Sequence, residues 1–245
     1  MTSVKSTPTK LYLLQLSTTS VPVSEGRTLE MVLGCYLVDT CDGRHILIDS
    51  GIAADAQSAE KPPAQNESNV IEQLAGLGLQ PRDIDTVICT HFDVDHAGFH
   101  DAFSSAEFIV QRTHYELARA GHPRFAAARL HWDHPALQYR SIDGDTELMP
   151  GLTLIETSGH TTGHQSVLVH LPNTGPVLLA IDAVMIQRLF TLQRNAWPND
   201  ESEEQLRLST EKLLKIVERE QVQLVIFGHD GLQWKTLRKA PHYYD

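Results

Sequence analysis

Apolar residues fall into short runs separated by polar stretches, and the spacing inside the runs changes along the chain. Residues 11–15 read as a first strand. Residues 31–39 (MVLGCYLVD) and 45–49 (HILID) read as a strand pair, joined through TCDGR, whose Asp42-Gly43 is a hairpin signal. Residues 52–68 are small, polar and proline-bearing, which predicts a surface loop. Residues 70–77 carry apolar positions at helical spacing and stop at Gly76 and Gly78. Residues 85–89 (DTVIC) predict a buried strand that runs straight into Thr90-His91.

The pattern then repeats. Residues 106–111 read as a strand and 113–120 as a helix, while 121–140 are rich in histidine, arginine and aromatics. Strands are expected over 152–157, 166–170 and 177–182, and a helix over 203–219 with Leu206, Leu213, Leu214 and Val217 on its apolar face. The last strand, 223–227, delivers Gly228-His229-Asp230. Strands and helices alternate unevenly, with hairpins among them, which predicts one α+β domain over 1–245 rather than a regular doubly wound sheet.

Four of these strands end on a polar residue: His91 follows TVIC, His160 follows LIETSG, Asp182 closes VLLAID, and His229 follows QLVIFG. Loops at strand ends are where a rigid sheet can aim side chains at one point. The stretch HFDVDH packs His91, Asp93, Asp95 and His96 onto one loop. A transition metal needs three or four ligands within about 2.0–2.3 Å of one point, and short-range pairs joined by distant strand-end histidines meet that demand. Each residue alone has a plainer explanation, such as a helix cap or a hydrogen-bonded structural histidine. The joint pattern is what predicts a metal site. His45, His170 and His242 are read as structural.

Composition narrows the function further. Hydrophobic residues make up 41% and charged residues 21%, an ordinary soluble globular balance. The formal net charge of −11 argues against nucleic acid and anionic membrane as partners, since both need a basic face. The three cysteines form no CxxC pair and read as reduced thiols, so a cytoplasmic location is expected. The apolar run 11–16 is too short for a signal segment or a membrane span. No G-x-S-x-G elbow or P-loop is present, and Cys89 lies in an apolar strand, as a packed thiol does.

With these residues in view, the chain resembles the metallo-β-lactamase superfamily, and within it the N-acyl homoserine lactonases. The resemblance runs through GCYLVDT, ILIDSG, THFDVDHAG, FIVQRTHYE, SGHTTGHQS, LLAIDA, IFGHD and the closing PHYYD. It implies an αβ/βα sandwich with a two-metal site on one edge. It makes His91, position 93 and His160 the first metal set, and Asp95, His96 and His229 the second, with Asp182 bridging. Asp95 and Asp182 are the expected catalytic groups. The implied cofactors are two divalent ions, usually zinc, holding a hydroxide that attacks the lactone carbonyl of an acylated substrate. Two close cations lower the pKa of a bridging water toward about 7, so the chemistry is physically sufficient. Both a monomer and a homodimer are compatible.

Two departures stand out. The family pattern has histidine where this chain has Asp93. An aspartate oxygen lies about as far from Cα as a histidine Nδ1, so ligation is expected to survive and to favour harder ions such as iron or manganese. The alternative is that Asp93 has lost ligand function and the first site is weak. A carboxylate there also resembles the diiron flavoproteins of the superfamily, which keeps a redox role open. Second, Met185 stands where the lactonases carry a hydrogen-bonding tyrosine, which leaves another lactone, ester or phosphoester open as substrate. Tyr139, Tyr243 and Tyr244 are candidate replacement donors. His164 and Asp230 are expected to orient ligands. His100, His114, His122, His131 and His134 are expected mainly at a solvated surface. Phe125, Trp132 and Tyr139 are candidate pocket walls, and Phe190 and Trp197, in residues 185–198, either wall a pocket or pack onto the domain.

Overall fold

The computed structural model describes residues 6–24, 26–52 and 68–245; of the expected loop over 52–68, residues 53–67 lie outside them. Eleven strands form two sheets among the described residues. The first sheet runs in the order β1 (Pro8–Ser24), β2 (Arg27–Thr40), β3 (His45–Ile48), β4 (Thr86–Ile88), β5 (Glu107–Gln111), β6 (Gln138–Ile142). The second comprises β7 (Thr146–Met149), β8 (Leu152–Glu156), β9 (Gln165–Leu171), β10 (Gly175–Ile181) and β11 (Leu224–Phe227), ordered from β11 back to β7. Helices α1 (Val70–Gly76), α2 (Arg112–Arg119), α3 (Arg129–Trp132), α4 (Glu203–Arg219) and α5 (Gly231–Trp234) complete the chain.

Side-chain alternation along each strand builds the layers. Ile46 and Ile48 of β3 face inward and meet Leu152, Leu154, Val167, Val169, Val177 and Leu179 of the other sheet. Leu47, between them, faces outward and joins Val87, Cys89, Phe108 and Val110 against Val70 and Leu74 of α1. On the far side, Leu168, Leu178 and Ala180 pack against Leu213 and Ile216 of α4. The result is helix, sheet, sheet, helix, as expected for the sandwich. A one-residue slip of any central strand would exchange these two sets of side chains, so burial on both faces fixes the register.

Helix α4 has the expected limits because its signals are local. Ser202 caps it by accepting from the Gln205 N–H at 3.3 Å, and Glu203 and Glu204 sit in its first turn, where the helix dipole favours negative charge. Three features escaped the hydrophobic pattern. Strand β1 continues to Ser24 through a polar stretch, held by pairing of residues 17–22 with 28–33 of β2. Strand β6 pairs only with β5, and β7 only with β8, so both are sheet edges with weak apolar patterning.

Strands β3, β4 and β5 are mutually parallel, and so are β10 and β11. Their C-terminal ends therefore open together at one edge of the sandwich, carrying Asp49, His91, Asp182 and His229 to a common place.

Candidate metal centre

Three groups of donor side chains meet at this edge: His91, Asp93 and His160; His91, His96 and Asp182; and Asp95, His96 and His229, each with donor atoms within 4.8 Å of one another. All seven residues singled out in the sequence are thus brought together. They differ in what their donor atoms already touch.

Around His91, His96 and Asp182 donor atoms are open, while His229 Nε2 already meets Asp182 Oδ2 at 3.1 Å. His96 Nε2 and Asp182 Oδ1 are buried with no hydrogen-bond partner, and so is His91 Nε2. An orphaned buried polar atom costs on the order of 1–3 kcal/mol, more when charged, so several aimed at one point suit a cation as their common partner. His229 Nε2 lies 3.0 Å from Asp182 Oδ1 and 3.9 Å from Asp95 Oδ2, and His96 Nε2 lies 3.6 Å from Asp182 Oδ1. Burial alone would lower the basicity of His96, but Asp182, Asp95 and Asp49 outweigh it and push its pKa up to about 10. His229 is shifted the same way, the pull of Asp182 exceeding the cost of burial. Burial likewise opposes the charge on Asp182, yet His229, His96 and His160 hold it well below the carboxylate range. The pocket is built to concentrate positive charge, and these residues fit a divalent ion.

Around Asp93 and His160 the donors are taken. Arg124 donates from Nε to Asp93 Oδ1 and from Nη2 to Asp93 Oδ2, both at 2.6 Å. Its Nη2 also lies 2.7 Å from His160 Nε2. Sequence reading missed Arg124 entirely, since an arginine in a polar insert resembles any solvated charge.

Backbone and side-chain supports hold each donor. Asp49 accepts from the Thr90 N–H at 2.8 Å and the Thr90 hydroxyl at 2.7 Å, and its other contact is His96 Nδ1 at 2.8 Å. Asp200 plays the same part for His160, with Oδ1 2.7 Å from Nδ1. His164 accepts from the Asp182 N–H at 3.2 Å, the orienting role expected of it. Ile181, just before Asp182, adopts φ +51°, a left-handed conformation that a β-branched residue tolerates only when its surroundings enforce it. Gly228 lets β11 approach: a Cβ there would lie 2.8 Å from Asp182 Oδ1. Asp230 caps α5 by accepting from the Gln233 N–H at 3.0 Å and also accepts from the Gln187 N–H.

Several expectations need correction. His100 and His114 are buried, not solvated. His114 accepts from the Phe92 N–H at 2.9 Å and has Nδ1 2.8 Å from the Thr162 carbonyl, tying the two ligand loops together. His100 Nδ1 meets the Ser50 hydroxyl at 2.7 Å. Phe125 and Trp132 are core residues, with Trp132 stacked on Phe92 at 4.8 Å. Phe190 packs on Phe227, the second of the two roles expected of it. None of the proposed tyrosines takes the place left by Met185: the Tyr139 hydroxyl donates to the Trp132 carbonyl, the Tyr244 hydroxyl accepts from the Arg238 N–H, and Tyr243 lies beside Lys10.

Residues 35–229 match the model of the metallo-beta-lactamase superfamily. An N-acyl homoserine lactonase from a Bacillus species is 34% identical, over 96% of this chain and 96% of its own length. The crystal structure of a quorum-quenching N-acyl homoserine lactone lactonase superposes with a TM-score of 0.87 at 31% identity, covering 98% of this chain and 100% of that one. A second lactone hydrolase, solved with its product N-hexanoyl-L-homoserine at the catalytic metal centre, gives a TM-score of 0.85 at 29% identity, over 97% of this chain and 100% of that one.

Proposed function

We infer the activity from kinship: the chain belongs to the metallo-beta-lactamase superfamily and, within it, to the N-acyl homoserine lactonases. The protein is a quorum-quenching hydrolase that opens the lactone ring of N-acyl homoserine lactones, a small-molecule substrate. The superfamily fold implies a dinuclear metal centre. What supports that chemistry in this chain is the set of buried, partnerless atoms His91 Nε2, His96 Nε2 and Asp182 Oδ1 converging at the sheet edge.

The donor sets available to metal are Asp95, His96 and His229 on one side and His91, Asp93 and His160 on the other, with Asp182 between them; how many ions they hold is a separate question from the reaction. A bound divalent ion supplies Lewis acidity and a water nucleophile at neutral pH. Zinc is the proposed metal, because imidazole and carboxylate donors suit it; a ligating Asp93 would move the preference toward iron or manganese. Asp182 holds His96, His160 and His229 in one charge-balanced array. Asp95 is the most open of these acids, with its side chain 25% exposed, so it is placed to take the proton lost by the attacking water and return it to the leaving alkoxide. The supports Asp49, Asp200 and His164 keep the donor atoms aimed without themselves touching substrate.

The deciding experiment is hydrolysis of N-hexanoyl homoserine lactone by the full chain, followed as acid release. Ring opening that a chelator abolishes and zinc restores is expected. Metal-loaded protein inert toward every acyl homoserine lactone would refute the reading. Met185, buried where the relatives are expected to carry a tyrosine, favours a second reading in which another lactone or ester is preferred; a substrate panel separates the two.

A further inference from the structure

Arg124 lies 31 residues beyond Asp93, in the six-residue 3-10 stretch Pro123–Ala128. A guanidinium carries five N–H donors and no acceptor. Every one of the five is placed. Nε serves Asp93 Oδ1, and Nη2 serves Asp93 Oδ2 and His160 Nε2; Nη1 serves the carbonyls of His160 at 3.0 Å and Asn199 at 2.5 Å. This is a built cradle, since a solvated arginine would leave most of its donors to water.

His160 is held from both sides. Its Nδ1 lies 2.7 Å from Asp200 Oδ1, and its Nε2 lies 2.7 Å from Arg124 Nη2 and 3.2 Å from Asp93 Oδ2. Nη2 also lies 2.6 Å from Asp93 Oδ2, so one guanidinium nitrogen sits against both donor atoms that a first metal would need.

We propose that the Arg124 guanidinium takes the place of the first metal, so that the protein holds a single tightly bound divalent ion, at Asp95, His96, His229 and Asp182, beside a permanent organic cation. The proposal rests on the metal-hydrolase reading above, but not on the identity of the substrate. Charge agrees with it. The guanidinium lies 2.6 Å from Asp93 and 3.9 Å from Glu201, and a divalent ion on the same Asp93 oxygen would sit against it, like charge beside like. Asp93 and Arg124 thus act as one unit: the aspartate that departs from the family pattern is the residue that holds the arginine. Arg124 is a positioning residue here, with all its donors committed to the protein.

The test counts metal. The full chain is loaded with excess zinc or cobalt, gel-filtered, and assayed by elemental analysis; cobalt EPR reports whether ions are magnetically isolated or coupled. The wild type is expected to retain about one equivalent as an isolated ion, lost in Asp95→Asn; Arg124→Met combined with Asp93→His is expected to retain about two, as a coupled pair. Two tightly held, coupled ions in the wild type would overturn the proposal, and so would a double variant that folds yet still holds one. If the double variant does not fold, the wild-type count and EPR signal decide alone. Two ions with full lactonase activity defeat this inference and leave the function standing; one ion with no activity on any lactone does the reverse.

Discussion

The two halves of the metal centre share one loop, yet they meet opposite fates. His91, His96 and Asp182 bring together buried donor atoms that have no hydrogen-bond partner, with Asp95 and His229 beside them. Asp93 and His160, from the same strand-end geometry, converge on the guanidinium of Arg124. Both halves solve one electrostatic problem, which is how to keep carboxylates buried among imidazoles. One leaves room for an exchangeable ion, and the other supplies a cation from the chain. A site can therefore keep a family's donor geometry while part of that geometry is satisfied internally. Donor spacing alone does not identify a metal ligand; the lone pairs must also be free.

The sharpest break of this contrast is Asp182→Ala, because Asp182 faces both halves. Metal content is expected to fall to near zero and lactone hydrolysis to background. The metal-free protein is expected to lose about 3–5 kcal/mol in urea unfolding, since His96 and His229 lose the carboxylate that balances them. Unchanged metal content would show that the shared carboxylate is not a ligand.

A smaller effect separates the halves. Asp49 orients His96, and Asp200 orients His160, through equivalent contacts to Nδ1. Asp49→Asn is expected to weaken zinc binding by about 10–100-fold, the usual cost of losing a group that orients a ligand, while Asp200→Asn stays well inside that range. Equal losses in a competitive chelator titration would mean that both halves hold metal.

The gentlest probe is pH. A metal needs neutral imidazole, but in the metal-free protein His96 titrates near about 10 and His229 above its ordinary value. His96 is therefore protonated at neutral pH and His229 is shifted in the same direction, so metal uptake should release protons and zinc affinity should strengthen as pH rises, until it passes the raised values. For the metal-free fold the sign reverses. Histidines with raised pKa stabilise it fully below their ordinary value, and that contribution is lost as pH rises through the folded value. Chelator titrations at two pH values, paired with melting curves of the stripped protein, check both directions. A zinc affinity independent of pH would contradict the carboxylate-driven shifts.

Much of this protein is legible along the chain. Apolar alternation marks the central strands, because their two faces are buried by different layers and each side chain must suit its own. Helix α4 is bounded as expected by its cap and its charges. His91, His160, Asp182 and His229 could be picked out because each follows a strand whose own pattern is strong. The sheet edges β6 and β7 were not legible, since pairing on one side imposes little on their side chains.

Fold class and the convergence of the donors are written in the chain: strand ends are set by local pattern, and parallel strands open at one edge. Which of those donors remain free depends on contacts between distant segments. The insert around Arg124 reads as solvated polar chain until Phe125 and Trp132 are seen buried beneath the ligand loop. That burial is a packing event between segments far apart in sequence, and it is what carries the guanidinium onto Asp93 and His160.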